Sequence, residues 1–340
     1  GDVQVDLRVV NENAFGAALH HFTGSKYHNI EMRKLALKKG YTINEYGIVK
    51  NKDKKIDKNK RPPIRTETEF FKKLGLSYID PELRENVEEL ALAKAGLLPK
   101  LVENKDVKGL LHNHSKWSDG KNTVLEMVEK AEQMGMEYIS ITDHYGPIVI
   151  ANSLNEERFK DYLKAVNAVK KKVKIKILVG VEIDILKDGT LPLSAGELKK
   201  LDFVIASLHL GKNMSKEDMT KRVCDVLENY PVHALGHPTA RLLNRREPIK
   251  IDLAKVFKVA KENNVFLEIN CRAKRMDLDG EKIRIAKKIG CKFILGTDAH
   301  NIDQLEGFNF GVNMARRGWL LKKDVLNCYS YEEVIRILKK

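Results

Sequence analysis

The chain has 340 residues and a formal net charge of +14, with 61 Lys and Arg against 47 Asp and Glu. This length is enough to bury a substantial core in one large domain or in two unequal ones. The positive charge is compatible with a polyanionic partner, but Lys- and Glu-rich sequences with few aromatic residues are also typical of proteins from hot environments. Composition therefore leaves both explanations open.

The cysteines argue against a disulfide framework and against a thiolate zinc site, because no two of them form a CxxC pair. They are Cys224, Cys271, Cys291 and Cys328. A reduced, cytoplasmic location is the simpler inference. No stretch is long and apolar enough to span a bilayer, and none has the pattern of a signal peptide.

Residues 3 to 9 alternate apolar and polar side chains, with Val5, Leu7 and Val9 on one face. This period of two predicts a half-buried strand. Because the alternation is already under way at the first residues and no Met precedes it, we expect the sequence to be the C-terminal part of a longer protein.

The next periodic segment predicts a helix that begins near Ser25, a good N-cap residue, and ends at Gly40. Asn29 and Arg33 are four residues apart and therefore lie on one face of this helix, beside a stripe of lysines. On spacing alone, a solvated basic face is the simpler explanation.

Residues 50 to 65 are polar and basic, with eight Lys or Arg against two Asp, and they include Pro62 and Pro63. Such a composition predicts an exposed linker. The run could follow a phosphate backbone, although charge runs of this kind are more often simply solvated. Residues 66 to 100 predict a short helical connector.

From residue 107 onward, short apolar strands alternate with amphipathic helices. The predicted strands are 108–112, 138–142, 175–183, 203–208, 232–236, 265–269 and 293–297. Strand and helix in alternation imply a parallel sheet, and seven repeats predict a closed α/β barrel. In such barrels the catalytic groups collect at the carboxyl ends of the strands.

Each of these strands ends in a side chain that can bind a metal ion. In chain order these are His112 and His114, Asp143 and His144, Glu182, His209, His237, Asn270, and Asp298 with His300, while Asp119 follows the first strand. Taken singly, each has a simpler structural explanation, such as a packed histidine or a turn-forming aspartate. Together they predict a polynuclear metal site, for which mixed imidazole and carboxylate ligation suits zinc, manganese or iron.

Closely spaced divalent cations can activate water and neutralise the oxygens of a bound phosphate. Arg241 and Arg275 each lie just beyond a ligand strand and are candidates to hold the phosphate. An ordinary surface arginine is an equally good interpretation of either one.

Residues 107 to 335 resemble the PHP (polymerase and histidinol phosphatase) family. The matching motifs are HNHSKWSDG, ITDH, GVEID, SLH, GHPT, EIN and GTDAH. The resemblance implies a distorted (β/α)7 TIM-like barrel with up to three divalent metals. It assigns His112, His114, Glu182 and Asp298 to a first metal, Asp119, His144 and His300 to a second, and the bridging Glu182 with His209 and His237 to a third.

Among these residues we expect Glu182, His112 and His209 to be catalytic. The loop NCRAKRMD departs from the family, which more often carries small residues and Pro there and Leu in place of Met276. A Gly is usual in place of Ala240. Because these positions lie at the rim of the expected pocket, the departures concern substrate fit more than metal binding.

The segment FTGSKYHNIEMR, followed by INEYG, resembles the thumb subdomain of family X DNA polymerases. The resemblance implies that Asn29 and Arg33 approach the nascent base pair and the template strand. The opening VDLR resembles the last palm strand, in which Asp6 would be the third catalytic carboxylate. Since two-metal phosphoryl transfer needs several carboxylate oxygens, we predict that this chain does not polymerise.

The predicted organisation is therefore a palm strand remnant at 1–14, a small α+β thumb at 15–49, a basic linker and helical connector at 50–106, and a PHP domain at 107–340. The two resemblances imply a metal-dependent phosphoesterase that acts on DNA ends within a repair polymerase. The expected activity is a 3′-5′ exonuclease, with 3′-phosphatase and abasic-site cleavage as further activities. DNA with 3′ ends, gaps or damage is the expected partner.

Two alternatives remain open. One is a phosphatase for small monoesters of the histidinol phosphate type, and the other is a non-catalytic DNA-binding module with a structural metal site. Salt sensitivity separates DNA from a small monoester as ligand, because counterion release makes DNA binding fall steeply with salt.

Overall fold

The structure is a computed structural model that describes residues 4–53, 55, 57 and 61–339. The chain divides into two compact units, residues 1–100 and 101–340. Val3 of the predicted first strand and Lys54, Lys58 and Lys60 of the basic stretch lie outside the described residues. The finer division of the first unit into palm strand, thumb and linker stays a prediction.

The first unit is mainly helical and contains one small antiparallel hairpin. Its elements are α1 (Phe15–Thr23), α2 (Lys26–Lys38), β1 (Tyr41–Asn44), β2 (Gly47–Lys50), α3 (Glu67–Lys73) and α4 (Glu89–Ala95), with 3₁₀ turns at Glu12–Ala14, Asn51–Asp53 and Pro81–Leu83. The predicted helix is confirmed as α2: the Ser25 hydroxyl accepts a hydrogen bond from the His28 N–H, and Gly40 follows its end with a φ of +79°.

The predicted strand at residues 3 to 9 is wrong for the residues that the structure describes. Residues 4–10 have no regular secondary structure, and Val5, Leu7 and Val9 are 82%, 88% and 89% exposed. A strand needs a neighbouring strand to satisfy its N–H and C=O groups. Among the described residues none pairs with this segment, so alternation alone does not make it a strand, and Asp6 is exposed with it.

A buried arginine holds the core of the first unit together. Arg84 donates from Nη1 to Glu67 Oε1 at 2.5 Å and from Nε and Nη2 to the Ile79 carbonyl at 3.1 and 2.8 Å. Its guanidinium also lies 5.2 Å from the centre of the Phe71 ring. Since Arg84 and Glu67 are both buried, each compensates the desolvation of the other.

We expect Arg84→Ala to destabilise the first unit by about 3 kcal/mol, because it leaves the Glu67 carboxylate buried without its partner. Hydrogen exchange of peptides spanning residues 67 to 95 measures this directly. The control is Lys34→Ala, which removes the exposed ion pair with Glu31 and should cost less than about 0.5 kcal/mol. Equal protection in the two variants would contradict this role for Arg84.

The second unit is a closed parallel barrel surrounded by helices. Its strands are β3 (Gly109–Asn113), β4 (Tyr138–Ile141), β5 (His144–Tyr145), β6 (Lys176–Asp184), β7 (Phe203–Ser207), β8 (Ala234–Leu235), β9 (Phe266–Asn270) and β10 (Phe293–Ala299). Sequential strands pair in parallel, β4 pairs with β6, and β10 closes the barrel on β3. The short β5 adds to the end of β6. The predicted seven-stranded TIM-like barrel is confirmed.

The helices cover the outside of the barrel. They are α5 (Val124–Gln133), α6 (Glu156–Lys170), α7 (Ala195–Leu198), α8 (Lys216–Asn229), α9 (Leu253–Glu262), α10 (Gly280–Ile289), α11 (Phe308–Arg317) and α12 (Tyr331–Leu338), and 3₁₀ turns lie at Asn104–Asp106, Val149–Ala151, Ile302–Gly307, Lys322–Asp324 and Leu326–Cys328. The first of them, α5, starts with a capping box of Thr123 and Glu126 and buries one apolar face.

The lower part of the barrel interior is a packed apolar floor. Side chains from most strands meet there, and two residues of α12, Val334 and Leu338, belong to the same cluster. Leu178 of β6 is part of this floor, and Glu182 lies four residues further along the same strand face. The floor therefore supports the polar groups at the carboxyl ends of the strands.

Candidate metal centre

Glu182 is the centre of the polar cluster at the carboxyl end of the barrel. Its buried carboxylate has histidines on both oxygens. Oε2 lies 3.2 Å from His112 Nε2, 3.4 Å from His114 Nε2 and 3.1 Å from His144 Nδ1, while Oε1 lies 3.4 Å from His209 Nε2 and 3.0 Å from His237 Nε2. Each oxygen of Glu182 therefore faces its own group of imidazole nitrogens.

A second group lies at the open side of the cluster. His300 Nε2 is 3.2 Å from Asp119 Oδ2, and His144 Nε2 is 3.6 Å from Asp119 Oδ1. His114 belongs to the same group, in which one ligand atom from each residue lies within 4.8 Å of the others. Asp119 is partly exposed, so this side of the centre faces solvent.

Asp298 completes the set from β10. Its Oδ1 lies 3.5 Å from His114 Nε2, and its Oδ2 accepts a hydrogen bond from Asn270 Nδ2 at 3.1 Å. The structure thus brings together all nine residues that the sequence predicted as ligands. Asn270, also singled out at a strand end, orients two carboxylates, since the same amide donates to Glu268 Oε2 at 3.2 Å.

Asp143 does not face the centre, although it follows a strand as the other candidates do. Its Oδ1 accepts from the N–H groups of Ser115 and Ser118 at 2.8 and 3.0 Å and from the Ser118 hydroxyl, while its Oδ2 accepts from the Ser115 hydroxyl. Its carboxylate therefore fixes the loop that carries Asp119 and is not available to a metal.

Three of the candidate ligands have an unusual backbone. His112, His237 and Asp298 have φ values of +63°, +27° and +48°, in the region that non-glycine residues rarely adopt. In a regular strand, neighbouring residues point to opposite faces. The turned backbone at His112 lets its side chain enter the barrel next to Leu111, which belongs to the apolar floor. A register shift between Gly296 and Ala299 likewise lets the Asp298 side chain enter the barrel.

Two buried carboxylates that the sequence analysis missed orient the histidines. Glu268 Oε1 lies 2.5 Å from His112 Nδ1, and Asp184 Oδ1 lies 2.7 Å from His209 Nδ1. A carboxylate on Nδ1 fixes the tautomer and leaves Nε2 free for a metal. The available signal was alternation, because Glu268 precedes Asn270 by two residues and Asp184 follows Glu182 by two.

The electrostatics of the cluster suit a cation. Burial raises the pKa of Glu182, but its interactions with His112 and His209 outweigh this and hold it well below its usual value. Burial lowers the pKa of His114, and that of His144, to about 4, so both are neutral at neutral pH. For His209, burial lowers the pKa, but the nearby carboxylates Glu182 and Asp184 raise it to about 9. A divalent cation would replace this proton.

Several buried ring nitrogens have no hydrogen-bond partner among the described residues. They are His112 Nε2, both nitrogens of His114, His144 Nδ1 and His237 Nδ1. Leaving buried polar atoms unpaired is costly, and a neutral imidazole nitrogen is a good ligand for zinc and other divalent metals. The residues present therefore fit a divalent metal centre.

The two predicted phosphate-binding arginines have different surroundings. Arg275 Nε lies 3.3 Å from Asp298 Oδ2, at the edge of the centre. Arg241 instead donates from Nε to the Arg275 carbonyl at 2.9 Å and from Nη1 to Asp279 Oδ2 at 3.0 Å, and its Nη2 donates to the Met276 carbonyl. Its contacts brace a loop and do not support a role in holding phosphate.

Arg272 was missed by the sequence analysis and also lies at the edge of the centre. Its Nη1 is 3.5 Å from Asp298 Oδ1 and 3.4 Å from His300 Nδ1. In the first unit, Asn29 Nδ2 donates to the carbonyls of His21 and Gly24 at 3.0 and 3.3 Å, and Arg33 is exposed. The DNA contacts expected of Asn29 and Arg33 stay predictions.

Two family models match the chain, one in each unit. Residues 18–85 match the DNA polymerase beta thumb, and residues 111–272 match the PHP domain. Over all 340 residues the chain is 38% identical to "DNA polymerase/3'-5' exonuclease PolX" of Bacillus subtilis (strain 168), and it spans 58% of that relative. It is also 31% identical over 218 residues to a probable phosphatase of Thermoanaerobacter sp. (strain X514), an alignment that covers 61% of this chain and 84% of the relative.

One solved structure that resembles the chain is histidinol phosphate phosphatase from Lactococcus lactis subsp. lactis. The superposition covers 61% of this chain and 93% of the phosphatase chain, with 23% sequence identity and a TM-score of 0.45. Among the described residues, no helix combines the length and hydrophobicity needed to cross a bilayer. The cytoplasmic location stays a prediction.

The closed barrel, the matched motifs and the probable phosphatase relative define the second unit as a PHP domain. Together with the thumb match in the first unit, the alignment over the full chain shows a similarity to family X DNA polymerases that carry a PHP domain. Both resemblances predicted from the sequence are confirmed.

Gly296→Ala tests the carboxylate behind His112. A Cβ at residue 296 would lie 1.7 Å from Glu268 Oε1, so Glu268 must move away from His112. Because outer contacts of this kind are worth about 10- to 100-fold in metal affinity, we expect a loss of that size, measured by chelator competition. Gly196→Ala is the matched control, since its nearest neighbour is 3.9 Å away. Unchanged affinity in Gly296→Ala would contradict the role of Glu268.

Proposed function

We propose that this chain is a metal-dependent phosphoesterase that hydrolyses DNA from its 3′ ends. The observation that carries the proposal is the single buried carboxylate of Glu182, which is shared by five imidazoles at the open end of the barrel. The name of the Bacillus subtilis relative includes 3′-5′ exonuclease, which supports the choice of DNA as substrate. In this proposal 3′-phosphatase and abasic-site cleavage are further activities of the same site.

The proposed ligand sets use all nine predicted residues and hold up to three ions of zinc, manganese or iron. His112, His114, Glu182 and Asp298 form the first set, Asp119, His144 and His300 form the second, and Glu182, His209 and His237 form the third. When bound, divalent metals supply the Lewis acidity for hydrolysis of a phosphate ester. Sharing Glu182 keeps the first and third sets adjacent, as attack on one phosphate requires.

The other residues orient these ligands and bind the substrate. Glu268 and Asp184 hold His112 and His209 with Nε2 toward Glu182. Arg272 and Arg275 lie beside Asp298, where their charges can neutralise a bound phosphate. Glu182, His112 and His209 are therefore the residues that we propose as catalytic.

We do not expect this chain to add nucleotides. Asp6, the proposed third palm carboxylate, is exposed, and none of the metal-binding groups found among the described residues includes it. Polymerisation requires several carboxylates to hold two cations, and one aspartate cannot do so. The thumb would then serve to bind DNA, with Asn29 and Arg33 as proposed contacts.

Hydrolysis of small phosphomonoesters is a second candidate function. The observation that favours it is the probable phosphatase from Thermoanaerobacter, which aligns with most of its own length. The alternative of a purely structural metal site is less consistent with the open, solvent-facing side of the centre at Asp119.

Nucleotide release from a 3′-labelled single-stranded oligonucleotide with manganese tests the proposal. We expect the chain to release nucleotides and His112→Ala to lose at least about 100-fold in rate, because His112 contacts Glu182 directly. His233→Asn is the control, since the Asn oxygen can accept the hydrogen bond from the Val204 N–H and His233 is not in the metal-binding groups. It should keep full activity.

The same preparation is assayed with histidinol phosphate and over a range of salt concentrations. Nucleotide release that falls steeply with salt supports DNA as the substrate. Turnover of the monoester with DNA untouched would establish the second candidate instead. If the metal-loaded protein turned over neither substrate, the proposal of phosphate ester hydrolysis would be contradicted.

A further inference from the structure

A cavity of about 670 Å³ lies beside the metal centre, between the loop that follows β9 and the segment that connects β10 to α11. Its walls include Arg272, Lys274, Thr297, Gln304 and Phe310, together with the acidic residues Asp303 and Glu306. Pockets that bind nucleotide-sized ligands typically measure about 300 to 1,000 Å³. The cavity therefore has room for a nucleoside.

Three wall residues connect the cavity to the candidate ligands. Arg272 Nη1 lies 3.5 Å from Asp298 Oδ1, and Gln304 Oε1 accepts a hydrogen bond from the His300 N–H at 2.8 Å. Thr297 directly precedes Asp298. A group bonded to a phosphate at the ligands can thus enter the cavity without crossing the barrel.

The walls of the cavity match the chemistry of a nucleotide. Phe310, on the first turn of α11, is 48% exposed, which leaves part of its ring free to contact a ligand. Arg272 and Lys274 make the loop wall cationic, and they are close enough that the charge of Arg272 lowers the pKa of Lys274. Flat bases stack on aromatic rings and on guanidinium planes, and cations bind the adjoining phosphates.

We propose that this cavity binds the base of the 3′-terminal nucleotide, stacked on Phe310, with Arg272 and Lys274 facing the nucleotide's phosphates. The inference rests on the proposed hydrolysis of DNA and adds a specificity subsite to it. Both cations belong to the loop NCRAKRMD that follows β9. The subsite would let this chain distinguish a nucleotide end from a phosphate that lacks a base.

The test removes the aromatic ring and the base separately. Two oligonucleotides are compared, one with an ordinary 3′-terminal nucleotide and one with a 3′-terminal tetrahydrofuran abasic residue. Since stacking of one base on an aromatic side chain corresponds to about 5- to 150-fold, Phe310→Ala should lower kcat/KM for the ordinary end by that factor. For the abasic end, kcat/KM should change by less than about twofold, because no base is present to stack.

Three further variants separate stacking from other effects. Phe310→Trp should keep the preference for the ordinary end, whereas Phe310→Leu, which is apolar but not aromatic, should lose most of it. Ile285→Ala removes a side chain on α10 that is similarly exposed, at 45%, and should change neither substrate.

The outcomes distinguish this subsite from the proposed function. If Phe310→Ala lowers kcat/KM equally for both ends, or for neither, the subsite is overturned. Nucleotide release by the unaltered chain would still support DNA hydrolysis. If the unaltered chain releases nothing from either end, the proposed function fails and the subsite fails with it.

Discussion

A buried carboxylate surrounded by imidazoles is the constraint on which the second unit depends. Glu182 lies in the barrel interior with histidines on both oxygens, and burial of so many ionisable groups is unfavourable unless opposite charges compensate them. The apolar floor supports Glu182 from below, and Glu268 and Asp184 orient the imidazole rings of His112 and His209. Three of the non-glycine residues with a positive φ, His112, His237 and Asp298, lie in this layer. In the barrel interior, a polar layer with three positive-φ residues thus packs above an apolar layer.

The barrel, and the meeting of the candidate ligands at one rim, could be predicted because both depend on regular patterns. Strands of a closed parallel barrel end at the same rim, so side chains at strand ends such as His112, Glu182 and His237 must meet there. The prediction of a strand at residues 3 to 9 was wrong, because alternation at Val5, Leu7 and Val9 cannot supply the neighbouring strand that a sheet needs. Asp143 could not be separated from the metal-facing residues by sequence, because its hydrogen bonds to Ser115 and Ser118 depend on a loop conformation that no periodicity encodes.

The orienting residues were harder to predict than the ligands. A buried Glu in a strand, such as Glu268, has the same sequence signal whether it binds a metal, orients a histidine or forms an ion pair. The arginines show the same limit. Their position beyond a ligand strand suggested both Arg241 and Arg275, but only the contacts show that Arg241 binds the loop that follows β9. Arg272, on the same loop as Arg275, has no distinguishing signal, and only the fold brings it beside Asp298 and His300.

The central claim is that Glu182 joins two metal ions. Anomalous diffraction from crystals of the full chain grown with manganese tests it most directly, because the anomalous peaks locate each ion independently of the protein density. The account predicts separate peaks next to Oε1 and Oε2 of Glu182, one among His112, His114 and Asp298 and the other between His209 and His237. A single peak at one oxygen, or metal bound only away from Glu182, would contradict it.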